Sequence, residues 1–232
     1  MTSSADRHVR LDMHTHSEYS PDSRTPLEDQ AAALVAAGID VVCATDHNTI
    51  EGALRLRDLG VPGLRVIVGE EVSTRDGEII GLFLEKPIPR DLSGEETITR
   101  IHEQGGIVSV PHPFSRNRMY HLRRDALDRL WPQIDCLEIF NAREAFAADN
   151  RRAMAYAKER NIPGAVGSDS HRVSELGRAW IEVDDFTGPA ELVEALRGGV
   201  VHGRLTGSAI HLATRYDVFR KWLARRRTRK SV

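Results

Sequence analysis

The chain has 232 residues, of which 41% are hydrophobic and 28% charged, with a formal net charge of -2. That length and content support one α/β domain with a full core, and the near balance of charge excludes a global field for nucleic acid or an acidic membrane. No run approaches the ~18 apolar residues that span a bilayer, and the opening M-T-S-S-A-D-R-H lacks an apolar signal core, so a cytoplasmic protein is expected.

The first strand is V-R-L-D-M-H-T-H-S, Val9–Ser17, which starts apolar and ends in His14 and His16. On a strand, i and i+2 share a face, ~7 Å apart along the chain at ~3.3 Å per residue. Two imidazoles converging at a strand exit form half of a divalent-cation site. Asp12 is placed to orient one of them. A polar, turn-rich stretch follows, and Thr25-Pro26 opens a helix, with Thr as N-cap and Pro at N1, that stops at Gly38. Ile39–Thr45 is a β-branched strand that delivers Asp46, His47 and Asn48. A helix over Ile50–Leu59 ends at Gly60. Leu64–Val68 is the third strand and delivers Glu70 and Glu71; alternation alone does not choose between the two carboxylates.

T-R-D-G then reads as a hairpin-like turn into Glu78–Leu84. Ser93 with Glu95 and Glu96 opens a helix that closes at Gly105-Gly106. The strand Ile107–Val110 delivers His112 between two prolines. After a basic loop, S-R-N-R-M-Y-H-L-R-R, come a helix near Asp125–Leu130 and the strand Cys136–Phe140, which delivers Asn141 and Arg143. A long helix over Ala145–Arg160 leads into the strand Pro163–Gly167 and then Ser168-Asp169-Ser170-His171. A strand at Ala179–Val183, a helix at Pro189–Leu196 and a strand at Val200–Leu205 complete the pattern. Cys43 and Cys136 sit in apolar strands and read as unpaired buried thiols of a reducing compartment.

Strands alternating with helices over short connections indicate parallel βαβ units. Chemistry-bearing residues at the ends of about six strands indicate a barrel mouth rather than the single switch point of an open sheet. Taken singly, each His, Asp or Glu has an ordinary structural reading; their recurrence at successive strand ends does not. The donor set is N and O without thiolate, which suits Zn, Mn or Fe. The other histidines lack this context: His8, His102 and His211 read as surface residues, His202 as a strand residue, and His121 as a neighbour of Arg116 and Arg118.

The order H-x-H, T-D-H-N, G-E-E, P-H-P, G-S-D-S-H resembles the PHP domain, the polymerase and histidinol phosphatase family, from about Asp12 to His171. The resemblance implies a distorted (β/α)7 TIM-like barrel carrying up to three divalent metal ions, in a stand-alone phosphoesterase. Residue by residue, His14, His16, Glu71 and Asp169 match the ligands of the first metal, with Glu71 preferred over Glu70 by the family's G-x-E-x-S pattern. His112 matches the second metal, which Glu71 bridges. Asp22, His47 and His171 match the third. Glu78 stands where many relatives have His, in E-I-I-G rather than a stretch like H-I-L-G, and is carried as a carboxylate ligand.

The expected reaction is hydrolysis of a small phosphomonoester, a nucleotide included, with a hydroxide shared by two cations as nucleophile at neutral pH. No Ser or Cys nucleophile is required. Arg116 and Arg143, just beyond strand ends, are candidates for the phosphate fork, with Asn141 holding Arg143 or the substrate. Two alternatives stand beside this: an exonuclease on nucleic acid, and a non-catalytic metal-binding regulatory domain. An amidohydrolase with a bridging carboxylated lysine is disfavoured, because Lys86, Lys158, Lys221 and Lys230 do not sit at strand ends. The barrel domain is expected over 1–205, followed by an extension over 206–232. Its run from Arg220 to Lys230 is strongly basic and reads as a solvated tail.

Overall fold

The computed structural model describes residues 7–116, 118 and 120–207. The basic run of the expected extension, and His211, lie outside the described residues. The elements follow in the order β1 (His8–Thr15), α1 (Leu27–Ala36), β2 (Val41–Ala44), α2 (Glu51–Asp58), β3 (Arg65–Thr74), β4 (Gly77–Leu82) and α3 (Gly94–His102). They continue as β5 (Ile107–Val110), α4 (Arg124–Leu130), β6 (Cys136–Asn141), α5 (Ala147–Arg160), β7 (Gly164–Gly167), β8 (Ala179–Asp184), α6 (Pro189–Arg197) and β9 (Val200–Gly203).

The strands form one sheet in the order β7-β6-β5-β4-β3-β2-β1-β8-β9. Pairing is parallel for β1–β2, β2–β3, β5–β6 and β6–β7. β4 runs antiparallel between β3 and β5, and β8 and β9 run antiparallel beside β1. Past the end of β7 the sheet nearly closes on β1: Ser170 bridges Thr15, the Asp169 N–H donates to the His14 carbonyl at 2.7 Å, and the His16 N–H donates to the Ser170 carbonyl at 2.9 Å. Strands β1 to β7 thus make the expected distorted barrel. The closure requires Gly167, because a Cβ there would collide with the Glu138 carboxylate and the Cβ of His14.

Alternation along the strands splits the core into two apolar layers. Leu11, Cys43, Ile67, Ile80 and Cys136 belong to one cluster, whereas Val42, Ala44, Val72, Ile79 and Leu137 join the helices in another. Both cysteines are unpaired and buried, and burial pushes the Cys136 thiol up to about 12.

Two local departures from the sequence reading bear on the site. β3 runs on to Thr74 rather than ending at Val68, because β4 pairs with it from Gly69↔Leu82 to Thr74↔Gly77. Since β4 is reversed, its first residues lie at the same mouth as the ends of the parallel strands. At α1 the N-cap is Pro26, not Thr25, whose hydroxyl instead donates to the His171 carbonyl at 3.2 Å. At α3 the expected signal holds, with a full capping box between Ser93 and Glu96.

Candidate metal centre

Two bulges turn the side chains of this site inward. On β1 the register with β2 shifts between Asp12↔Val42 and Thr15↔Ala44, so Met13 and His14 together oppose Cys43. Strict alternation from Leu11 and Met13 would send His14 to the opposite face; the extra residue brings it in. Thr15 faces the helices, its Oγ1 accepting from Gln30 Nε2 of α1 at 3.2 Å, and His16 returns to the inside. On β6 the register with β7 shifts between Glu138↔Ala165 and Phe140↔Val166. Glu138 and Asn141, three apart, consequently both reach the site. His112 (φ +30°) and Asp169 (φ +52°) occupy the left-handed region, a sparsely populated conformation that the surrounding bonds hold in place.

The eight residues that match the family's ligands, and Glu78, come together here. His14 Nε2 lies 3.0 Å from His16 Nε2 and 3.3 Å from Glu71 Oε2. Glu71 Oε1 faces His112 Nε2 at 3.1 Å, and Glu71 Oε2 faces His16 Nε2 at 3.2 Å and His47 Nδ1 at 3.3 Å. Asp169 Oδ1 is 3.5 Å from His16 Nε2 and 3.4 Å from His171 Nδ1. Asp22 Oδ2 lies 2.9 Å from His171 Nε2 and 3.4 Å from His47 Nε2. Glu78 is 3.8 Å from both His47 and His112. The donors fall into four overlapping groups, each within 4.8 Å: His14–His16–Asp169, His14–Glu71–His112, His47–Glu71–Glu78 and His16–His47–His171. Glu70, the other carboxylate of the pair, points away and accepts from the Ile88 N–H at 2.7 Å.

The hydrogen bonds behind these donors fix which nitrogen carries a proton. Glu138 Oε1 accepts from His14 Nδ1 at 3.1 Å, so a neutral His14 imidazole turns its Nε2 lone pair to the cluster. Ser20 donates its only hydroxyl proton to Asp46 Oδ1 at 2.8 Å, and can therefore only accept from His16 Nδ1 at 3.0 Å. His16 Nε2 also presents a lone pair. Two imidazole lone pairs 3.0 Å apart, facing the carboxylates of Glu71 and Asp169, repel unless a positive charge sits between them. One proton serves one pair; a divalent cation serves all four donors at once. The Asp169 Oδ1 atom is buried without a hydrogen-bond partner of its own, as is His112 Nδ1. The residues present fit divalent cations, held by mixed imidazole and carboxylate donors.

The electrostatics agree. Burial alone would lower the His14 imidazolium, but the Asp169, Glu71 and Glu138 carboxylates outweigh it and hold it well above its usual range. Burial likewise opposes His47, which Glu71 and Asp22 nevertheless raise to about 10. Burial pushes Glu78 up to about 8, and the adjacent Glu71 adds to this. His171 falls to about 3 through burial, with Arg143 pushing the same way against Asp22. Burial would raise Asp169, yet Arg118 and His14 bring it well below the ordinary carboxylate range.

The remaining expected residues divide. Asn141 donates through Nδ2 to Glu138 Oε2 and to Asp169 Oδ2, both at 3.0 Å, and its Oδ1 accepts from the Arg143 N–H at 2.8 Å. Arg143 is buried in the wall, with Nε 2.9 Å from Glu175 and Nη1 2.5 Å from His171 Nδ1. Arg116 is turned elsewhere: its half-exposed guanidinium pairs with Asp149 at 2.9 Å and lies over Phe146, because the buried Asp149 carboxylate captures it. Asp12 holds backbone rather than an imidazole, accepting from the Ser168 N–H at 2.9 Å and the His14 N–H at 3.3 Å.

Sequence reasoning passed over two groups. Glu138 holds His14, the His112 N–H at 2.6 Å and Asn141 on one carboxylate; its signal was a lone Glu inside the apolar run C-L-E-I-F-N. Arg118 contacts Asp169 Oδ2 through Nη2, and nothing in the Arg-rich loop marked it out from its neighbours. His202 stacks on Trp180 with centroids 5.2 Å apart, and His102 pairs with Asp135 at 2.9 Å.

An α/β barrel whose mouth gathers nine His, Asp and Glu side chains defines a barrel protein with several possible metal-ligand clusters at its mouth. The PHP domain family matches residues 12–150 and the PHP-associated family residues 147–201, and the chain belongs to the PHP domain family. The uncharacterized protein MJ1587 of Methanocaldococcus jannaschii is 39% identical over 146 residues, covering 58% of this chain and 82% of that one. Among solved structures, PsfC from Pseudomonas syringae matches with a TM-score of 0.69 at 14% identity, over 91% of this chain and 98% of its own. A candidate metal-dependent phosphoesterase from Bifidobacterium adolescentis matches with a TM-score of 0.60 at 16% identity, over 82% and 96%. These two likenesses establish the fold. Among the described residues no helix is long and apolar enough to cross a membrane.

Proposed function

We propose that this protein is a metal-dependent hydrolase, and specifically a phosphoesterase acting on a small phosphomonoester, nucleotides included. The observation that carries the reading is the set of largely buried imidazole nitrogens and carboxylate oxygens within 4.8 Å of one another, with Asp169 Oδ1 left without a hydrogen-bond partner. Divalent cations held there would supply Lewis acidity toward phosphoryl oxygens and an activated water. His14, His16, Glu71 and Asp169 would hold the first cation, Glu71, Glu78 and His112 the second, and Asp22, His47 and His171 the third.

The chain's own residues do the rest. Glu138 keeps the His14 proton on Nδ1, and the Asp46–Ser20 pair keeps the His16 proton on Nδ1, so both Nε2 atoms stay available as ligands. Arg143, fixed by Glu175, places a permanent positive charge beside His171, where charge on a phosphoryl group would develop. His14, His16, His112 and Asp169 are nearly inaccessible, whereas Asp22 and His47 are partly open to solvent, which puts the entry side at the third group.

The test is hydrolysis by the full chain loaded with Mn2+, Zn2+ or Fe2+, against a panel of phosphomonoesters and short oligonucleotides. Phosphomonoester turnover that a chelator abolishes and added cation restores is expected. Oligonucleotide cleavage as the fastest reaction would replace the small substrate by a nucleic acid. No cation bound at any of the donor groups would end the hydrolase reading.

A further inference from the structure

Arg116, Arg118 and Arg143 lie beyond the ends of β5 and β6, and their contacts sort them. Arg116 is committed to Asp149 and Phe146. Arg143 is committed to Glu175 and His171. Arg118 is different. It comes from the loop after β5, yet its guanidinium reaches Asp169 Oδ2, an oxygen already accepting from Asn141. Its Nε is buried and has no hydrogen-bond partner.

We infer that Arg118 is the residue that grips the phosphoryl group of the substrate, an inference that rests on the phosphoesterase reading above. Asp169 is a ligand in the first donor group, together with His14 and His16. A divalent cation on Asp169 Oδ1 draws charge from the carboxylate and repels the guanidinium on Oδ2, which weakens the Arg118 contact. With that contact weakened, and with its Nε unpartnered, the Arg118 fork is free to turn to another anion. The nearest anion that arrives with the substrate is the phosphoryl group, whose oxygens match a planar guanidinium with two parallel N–H bonds.

The surroundings keep Arg118 at the mouth after Asp169 is taken. The Glu144, Glu71 and Glu78 carboxylates also act on its charge. Glu144 is buried, accepts from Ser115 Oγ through Oε2 at 3.1 Å, and has no hydrogen-bond partner on Oε1. An unfilled acceptor on Glu144 and an unfilled donor on Arg118 therefore share one neighbourhood. The arginine is held near the cations but is not built into the wall, as a group that must turn between a carboxylate and an incoming phosphate has to be.

The experiment is calorimetric titration of inorganic phosphate into the Mn2+-loaded full chain, comparing wild type with R118A, R118Q and R118K, and with R57A as a surface control. Elemental analysis and circular dichroism accompany each variant. R118A and R118Q should bind phosphate ~10–100-fold more weakly, the range for losing hydrogen bonds to a charged group, at unchanged cation content. R118K should recover only part of the affinity, since lysine is a point charge. R57A should match wild type. Wild-type phosphate affinity in a folded R118Q, loss of cation from that variant, or no phosphate binding by the wild type would each overturn the inference. Arg118-dependent phosphate binding without hydrolysis of any phosphoester would leave the inference standing and sink the phosphoesterase reading instead.

Discussion

Glu138 supports the proposed cation site without belonging to it, so replacing it separates ligand positioning from ligand identity. Its carboxylate accepts from His14 Nδ1 at 3.1 Å, the His112 N–H at 2.6 Å and Asn141 Nδ2 at 3.0 Å. Glu138→Gln keeps the size and removes one oxygen. With the amide oxygen toward His14, the NH2 group meets two donors, from His112 and Asn141. With the amide flipped, NH2 faces His14 Nδ1, which must give up its proton to accept, and that proton moves to the Nε2 needed by the cation. Either orientation loses at least one bond to a charged group, ~1.5–3 kcal/mol. Loss of such supporting bonds ordinarily weakens metal affinity 10–100-fold. We therefore expect Mn2+ binding, measured by competition with a fluorescent chelator, to fall ~10–100-fold in E138Q, with the circular dichroism spectrum unchanged. Wild-type affinity in a folded E138Q would refute the claim that His14 is held as a ligand by its Nδ1 bond.

The remaining predictions concern protons and packing. Burial raises Glu70 to about 7 from an ordinary 4.5, against the Ile88 N–H that lowers it. A raised folded pKa contributes stability that is complete below the unfolded value and is lost as pH climbs through about 7. Glu70→Gln should hence stabilise the protein at pH 8 relative to wild type, by on the order of 3 kcal/mol, and do so far less at pH 4; equal effects at both pH values in denaturant titrations would contradict this. In the cation-free protein His47, at about 10, and Glu78, at about 8, hold protons at neutral pH, so cation binding must release them. Calorimetry in two buffers of different ionisation enthalpy should register that release, with affinity rising from pH 6 to 9; buffer-independent heats would argue against it. Gly167→Ala places a methyl group against Glu138 and His14 and should cost ~1–3 kcal/mol together with cation affinity. A thermal midpoint and affinity equal to wild type would show that β7 does not need this close approach.

The strand ends could be read from the sequence because each ends in a residue that an apolar interior does not otherwise tolerate. His14, His47, Glu71, His112 and Asp169 each follow a β-branched or apolar run, and the short connections implied one mouth for all of them. What the sequence did not carry was the local geometry that aims them. In C-L-E-I-F-N, alternation puts Glu138 and Asn141 on opposite faces; the register shift at Ile139 puts both on the site. In L-D-M-H, alternation puts His14 opposite Leu11; the shift beside Cys43 reverses it. A bulge depends on the register of partners far along the chain, here β2 for β1 and β7 for β6, and no window of neighbouring residues contains that information.

The arginines show the same dependence on distant partners. Arg116 and Arg118 are two residues apart in one basic loop, with nothing local to rank them. The choice is made by carboxylates elsewhere: Asp149, at the start of α5, takes Arg116 outward, and Asp169, after β7, draws Arg118 inward. Each carboxylate is buried, and a buried carboxylate left without a partner is costly, so each captures the cation within its reach. The sequence therefore supplies the right chemistry in surplus, and the tertiary placement of two aspartates decides which arginine faces the site.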